Sequence, residues 1–323
     1  MADKNKTIIE LERDSKTQMF VMCLIMCVVV AVGLFLAVYF NQIKMTSEVT
    51  VEAKKVSSFE ELAALNNTML NDNYFLTSDI IINEPFVLGS KDNPLTGKIF
   101  GNGHSIIVNY NADSSIIYQV GKDGKVSNLE VEYKLATSEI TENFGGIVTF
   151  NYGTISDCLV TYQDSLIVNE ALTVGGICAL NFGKLENCIC NVKFVENSTQ
   201  LANSRIGGLV GVLMENGSIE NCFSLASSKL IENNDAVVEN GQLKNYNIGC
   251  VYGQKATNTQ ITNVYTIKSS LLYSDKFDTN IVWDVRTEFI DQDFYYNTLK
   301  LEQSIWNINS IDSIDLVITN INE

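Results

Sequence analysis

This 323-residue chain predicts a mainly β solenoid, a stack of short coils rather than a compact globule. Two observations carry that prediction, and the first is internal repetition. The stretch from Gly145-Gly146-Ile147-Val148 to Asp157-Cys158-Leu159 aligns without a gap with Gly175-Gly176-Ile177-Cys178 to Asn187-Cys188-Ile189, thirty residues on. A third copy runs from Gly207-Gly208-Leu209-Val210 to Asn221-Cys222-Phe223 with two residues added, and a looser fourth from Gly249-Cys250-Val251 to Asn263-Val264-Tyr265. The copies thus fall at about 145–159, 175–189, 207–223 and 249–265. A fixed period of this length marks stacked repeats, since one unit cannot bury its apolar face alone. The second observation is the strand-like patterning of the unit. Ile147-Val148 and Leu209-Val210 are short β-branched or apolar runs, Cys188 to Phe194 contains alternating apolar positions, and no helical period runs through the repeat. Each unit is therefore expected to hold two or three strands joined by turns.

Stacked coils bring parallel strands to about 4.8 Å from one another, so equivalent side chains lie above one another along the axis. Asn128, Asp157, Asn187, Asn221 and Asn263 are then expected to form one polar ladder at a turn. Beside it Leu129, Cys158, Cys188, Cys222 and Val264 form a small apolar ladder. The glycines open and divide the unit where the chain turns or backbones approach closely.

The pairing of Gly-Gly-Ile/Leu-Val with Gly-x-Ile/Leu-x-Asn-Cys resembles the GLUG repeat of bacterial surface proteins, including filamentous-haemagglutinin-like chains. The resemblance covers about 120 residues well, although the fourth copy has Cys250 for the second glycine and Val264 for the repeat cysteine. It implies a right-handed parallel β-helix, a bacterial source and a surface setting.

Taken from the N-terminus, residues 1–18 hold four basic and four acidic side chains, and Met19 to Phe40 is a run of twenty-two residues without a charge. A run of this length spans a bilayer as a helix, with Tyr39 and Phe40 at one interface. A cleaved signal peptide is the rival reading, but the apolar run is too long and no small-x-small site follows it. Lys4, Lys6, Arg13 and Lys16 before the span favour a cytoplasmic N-terminus, hence an uncleaved signal anchor with the C-terminal domain outside the cell. An anchor in a single membrane, together with the resemblance, points to a Gram-positive source.

Residues 41–57 read as a polar stalk, and 58–323 as the extracellular β-helix. Ser58-Phe59-Glu60-Glu61 is a capping box that opens a short helix, placed where the open end of a β stack needs cover. Tyr74 to Ile80 and Leu95 to Ile106 look like the segment that precedes GLUG-type coils, and Gly124 to Leu129 is a degenerate repeat. The largest insertion, about 229–246, carries Glu232, Asp235 and Glu239. From about residue 278 the repeat fades into an aromatic C-terminal cap with Trp283, Tyr295, Tyr296 and Trp306, and family likeness makes Leu299 to Ile308 the last coil. These insertion acids and aromatics are the candidate contact surface.

With 38 acidic against 22 basic residues the formal charge is −16, and all of the excess lies beyond the apolar run. That balance argues against nucleic acid as a partner. Cys23 and Cys27 sit in the apolar run and three others recur at one repeat position, so the eight cysteines read as reduced structural thiols. One histidine, His104, and no CxxC argue against a metal site, and no cofactor is expected.

Parallel β-helices also serve as polysaccharide lyases and hydrolases, which need carboxylates gathered on one face. The nearest candidates are Asp157 with Glu186, and Asp284 with Arg286 and Glu288. Turn chemistry explains the first, an exposed ion pair the second, and no catalytic residue is assigned. The expected function is a single-pass surface module for adhesion, recognition or scaffolding, facing a protein or glycan ligand outside the cell. The alternatives are a cell-surface carbohydrate-active enzyme and a subunit of a membrane complex whose partners pack on helix 19–40.

Overall fold

The computed structural model describes Met22, Met26 and residues 53–318, except 136–139, 141, 169–171, 197–203, 229–237, 240–241, 244–246, 268–274, 276–277 and 288–289. The chain divides into two units, residues 1–52 and 53–323. In the first only Met22 and Met26 are described, both helical. The rest of the expected span 19–40 lies outside the described residues, as does the tail 1–18. Among the described residues no helix is long and apolar enough to cross a membrane.

The second unit is a stack of parallel sheets, the arrangement of a β-helix. One eight-stranded sheet, sheet 1, runs through Lys54–Val56, Asn73–Leu76, Lys98–Phe100, Lys125–Ser127, Thr154–Ser156, Lys184–Glu186, Ser218–Glu220 and Gln260–Thr262. A second, sheet 2, runs through Ile80–Ile82, Ser105–Val108, Glu130–Tyr133, Leu159–Tyr162, Ile189–Asn191, Phe223–Ser224, Val264–Ile267 and Ile281–Val285. Sheet 3 has five strands, from Ile117–Val120 through Val148–Asn151, Cys178–Asn181 and Val210–Leu213 to Tyr252–Lys255.

The thirty-residue coil is more finely divided than its pattern suggests. Between Phe144 and Val168 the chain forms five short strands, adding Phe144–Gly145 and Leu166–Val168 to the three sheets above. The expected two or three strands are corrected to five because those extra segments are two and three residues long, too short to show a period of their own. Each still pairs in register with its counterpart in the next coil, Gly145 with Gly175 and Leu166 with Phe194.

Register makes the core a set of columns. In sheet 1, Tyr74, Ile99, Val126, Ile155, Leu185, Ile219 and Ile261 stand one above another, all of them buried. In sheet 2 the inward column is Ile80, Ile106, Val131, Val160, Cys190 and Ser224. Burying each larger aliphatic side chain contributes about 1.5–3 kcal/mol, so the columns supply much of the stability.

The stack begins earlier than expected. Lys54–Val56, assigned above to the stalk, is the first strand of sheet 1 and pairs in parallel with Tyr74 to Leu76. The expected helix follows as Phe59–Ala64, where Ser58 Oγ accepts from Glu61 N and Glu61 Oε2 accepts from Ser57 N. Its Leu62 is buried in the core, with Phe59 and Ala63 packed beside it.

The C-terminal segment departs further from expectation. Ile281–Val285 adds a last strand to sheet 2, and Ile281 and Trp283 pack on the end of the core. The rest does not cover that end. Phe294, Tyr295, Leu299, Leu301, Ile305, Trp306, Ile308 and Leu316 form a second apolar cluster on Leu159, Ile189, Phe223 and Leu225 of sheet 2 and its margin. Trp306–Ser310 pairs antiparallel with Ser313–Leu316, so Leu299 to Ile308 is not a coil of the stack. The segment reaches back to an early coil, where a Cβ on Gly103 would lie 2.3 Å from Val317 O. The aromatic cap is thus mostly a strap along one flank.

Candidate functional site

The asparagine turn lies between sheets 1 and 2, and it is left-handed in six successive coils. Asn102, Asn128, Asp157, Asn187, Asn221 and Asn263 have φ between 50° and 57°, a region asparagine and aspartate tolerate better than other residues bearing a Cβ. Asn187 Nδ2 donates to Asp157 Oδ1 at 3.0 Å, Asn221 Nδ2 to Asn187 Oδ1 at 3.1 Å, and Asn263 Nδ2 to Asn221 Oδ1 at 2.8 Å. Each amide therefore donates to the coil before it. At the far end Asn263 Nδ2 also donates to the carbonyls of Thr298 and Leu299, both at 3.2 Å, which ties the strap to the stack.

Asp157 interrupts this series, because an ionised carboxylate has no hydrogen to give. Asn128 Oδ1, buried beneath it, accepts no hydrogen bond among the described residues. Burial pushes the Asp157 carboxyl up to about 6, with the bond from Asn187 pulling the other way. Next to the asparagines, Cys158, Cys188 and Cys222 are fully buried and unpaired as disulfides. Their thiols donate to the carbonyls of Ser156, Glu186 and Glu220, each at 3.1 Å. Leu129 and Val264 are buried at the two ends of that column.

Two devices inside the stack leave no clear signal in the repeat. Asn151 and Asn181 are fully buried, and Asn151 Nδ2 donates to Asn181 Oδ1 at 2.7 Å. Both positions recur in the first two copies, but the third has Leu213 there, so the pair is easily missed. The other device is Asp275, which accepts from the backbone N–H groups of Cys250, Val251 and Tyr252 at 3.2, 2.7 and 3.1 Å. In earlier coils the corresponding N–H groups of Ile177 and Cys178 donate to the carbonyl of Leu209. Asp275 stands in for the carbonyl of a coil that does not follow. Burial raises its carboxyl to about 7 against the pull of those three donors.

Of the residues weighed for catalysis, Asp157 and Glu186 are neighbours, Asp157 N donating to Glu186 O at 3.0 Å, and each carboxylate has a structural partner. Glu186 is ion-paired with Lys184, which also reaches Glu220 at 3.2 Å, while Asp157 belongs to the ladder. Among the described residues no group of three His, Cys, Asp or Glu side chains is placed to hold a metal ion. His104 Nδ1 lies 3.2 Å from Asp79 Oδ1, which also accepts from Ser105 N. Of Asp284 only the backbone is described, and Glu288 lies outside the described residues.

Of the candidate contact residues, Glu232 and Asp235 lie outside the described residues. Glu239 is described by its backbone alone, in the pair Val238–Glu239 with Gln242–Leu243. The aromatics separate. Trp283 sits at the end of the core, and Tyr295 is wholly buried under the strap. Tyr296 and Trp306 line an open groove of about 590 Å³ together with Gln292, Gln303, Asn307 and Leu316.

Local structure fixes the groove. Tyr296 sits in the π-helical turn Phe294–Thr298, and its hydroxyl donates to Trp306 O at 3.0 Å and accepts from Ile308 N at 3.1 Å. Trp306 and Asn307 begin one strand of the hairpin and Leu316 ends the other. The amides of Gln292, Gln303 and Asn307 are on exposed residues, and Gln292 Nε2 makes a long contact of 3.4 Å with Asn309 Oδ1. Trp306 is 1% exposed, and its indole N–H has no acceptor among the described residues. None of the side chains lining the groove is charged.

The family model of the GLUG motif matches residues 202–228, which contain the third copy of the repeat. Comparison with curated proteins gives no match.

Proposed function

We propose that the chain is a single-pass surface protein whose right-handed β-helix recognises a ligand outside the cell, with the N-terminus in the cytoplasm and residues 19–40 as the anchor. The observation that carries this reading is the strap groove. It is open, it combines rings with side-chain amides, and it is held on a rigid stack, the arrangement of a recognition surface. The similarity of residues 202–228 to the GLUG motif supports a repeat protein of the surface type. The uncharged run from Met19 to Phe40 supports the anchor. Recognition is preferred over hydrolysis because the groove offers amides where the two-carboxylate route needs a pair of acids.

Protease shaving of intact cells tests the display. Loss of the domain spanning residues 53–318 without permeabilisation is expected. Its survival until the membrane is opened would overturn the proposal and leave a cytoplasmic membrane-complex subunit as the reading.

A further inference from the structure

We infer that the strap groove binds a neutral, hydroxyl-rich ligand, the end or a short stretch of an uncharged glycan. This deepens the recognition role proposed above and rests on it.

Charge is the first argument. The chain carries −16 overall, yet no side chain lining this groove is charged, and the Tyr296 hydroxyl is already bonded to the backbone. A charged ligand would leave water without a counter-charge here, which is unfavourable. Acidic glycans would also meet the net negative field of the protein.

The second argument is the kind of polar group presented. Gln292, Gln303 and Asn307 each offer both donors and an acceptor, and a sugar hydroxyl likewise donates and accepts. Three amides around one groove can therefore meet vicinal hydroxyls in either sense. Peptide ligands would be served as well by a free strand edge, but this groove is walled by side chains on a hairpin whose two strands already pair with each other.

The third argument is the apolar surface beside those amides. Leu316 and the Tyr296 ring supply an apolar floor for the C–H face of a sugar. The volume, about 590 Å³, lies within the usual range for small-ligand sites.

The test uses the purified full chain in detergent micelles, titrated with neutral oligomers of glucose, mannose, galactose and N-acetylglucosamine, with a galacturonate oligomer as the charged comparison. Emission is read from Trp306 in a Trp283→Phe background, Trp283 being the other of the two tryptophans. Saturable binding of at least one neutral oligomer is expected, with the galacturonate at least about tenfold weaker. Gln303→Leu and Asn307→Leu, on exposed residues, should abolish binding with the thermal midpoint unchanged. Absence of saturation by every neutral oligomer, equal binding of the galacturonate, or full affinity in the Gln303→Leu and Asn307→Leu proteins would each overturn the inference. Because binding is measured away from cells, it fails separately from display. A shaved domain that binds no neutral sugar sinks the glycan alone, and a protected domain that binds one sinks the surface setting alone.

Discussion

Replacing Asp157 with asparagine should make the coil stack more stable at neutral pH. The backbone asks nothing new, since φ at this position is 54° and its neighbours Asn128, Asn187 and Asn221 hold φ of 50–53° with asparagine. Two gains follow. The substitution removes a carboxylate whose burial raises it to about 6. Relative to an unfolded value near 4, that rise of about two units means up to about 3 kcal/mol of destabilisation once the group is ionised. The new Nδ2 can also donate to Asn128 Oδ1, which lacks a donor among the described residues, for about 1 kcal/mol more.

The sign of the pH dependence is fixed by the same shift. A carboxyl raised in the folded state binds a proton that the unfolded chain has already released, so its favourable contribution is full below about pH 4 and is lost as pH rises through about 6. Wild-type stability should fall across that window. Asp275, raised to about 7, adds a fall that extends higher, so the difference between variant and wild type isolates Asp157. Urea unfolding followed by far-ultraviolet circular dichroism at pH 4.5 and pH 7.5 measures it. The variant should gain about 1–3 kcal/mol at the higher pH and much less at the lower, a rise of roughly 2–4 °C per kcal/mol in a thermal scan. Equal stability at pH 7.5, or a gain of the same size at both pH values, would refute the account of the broken ladder.

Removing the terminal acceptor by Asp275→Ala leaves three backbone N–H groups unmet and should cost about 3 kcal/mol or more, with faster amide exchange at Cys250, Val251 and Tyr252 as the direct readout. In a Cys23→Ser, Cys27→Ser background, the buried thiols of Cys158, Cys178, Cys188, Cys190, Cys222 and Cys250 should label only after unfolding, and burial pushes the Cys178, Cys188 and Cys190 thiols upward, which slows them further. Rapid native labelling of Cys188 and Cys222 would remove the cysteine column. Gly176→Ala places a Cβ 2.2 Å from Gly208 O and 2.5 Å from Cys190 Sγ, so its stability to urea should drop by about 1–3 kcal/mol or more, whereas Cys250→Ala, at the same place in the fourth copy, should cost about 1 kcal/mol.

What the sequence made legible is whatever stacking repeats. Asn187-Cys188 and its equivalents recur because register carries one turn into the next, and a period survives in the residue pattern. The strap left a different trace. Leu159 and Val160 are adjacent apolar residues, as are Ile189 and Cys190, so both faces of sheet 2 are apolar there, the signature of a sheet covered on both sides. The same apolar pairs also fit a core column, so the sequence alone places the aromatics near residue 295 at the end of the core, whereas the structure lays them on its flank. Asp275 had no such trace. A carboxylate that replaces a missing carbonyl occurs once, and only its position in space distinguishes it from any other aspartate. The groove is half visible in the sequence: Tyr296 and Trp306 stand out as aromatics, but the amides of Gln292, Gln303 and Asn307 carry no spacing that brings them together without the hairpin.

The decay of the fourth copy has a physical reason that joins these points. A Cβ on the first glycine of the phrase would strike a carbonyl of its own coil, 2.2 Å from Val148 O at Gly145, 1.9 Å from Cys178 O at Gly175, and 2.0 Å from Tyr252 O at Gly249. That glycine is required wherever the corner is made, and the fourth copy keeps it. A Cβ on the second glycine would strike the next coil: Gly146 meets Gly176 O at 2.3 Å, Gly176 meets Gly208 O at 2.2 Å, and Gly208 meets Cys250 O at 2.0 Å. Cys250 is followed at this corner by the carboxylate of Asp275, which accepts its N–H from 3.2 Å, and a side chain fits. Loss of the second glycine therefore marks the last coil of the stack. Past that coil the chain no longer has to repeat, and it is there that it builds the strap and its groove.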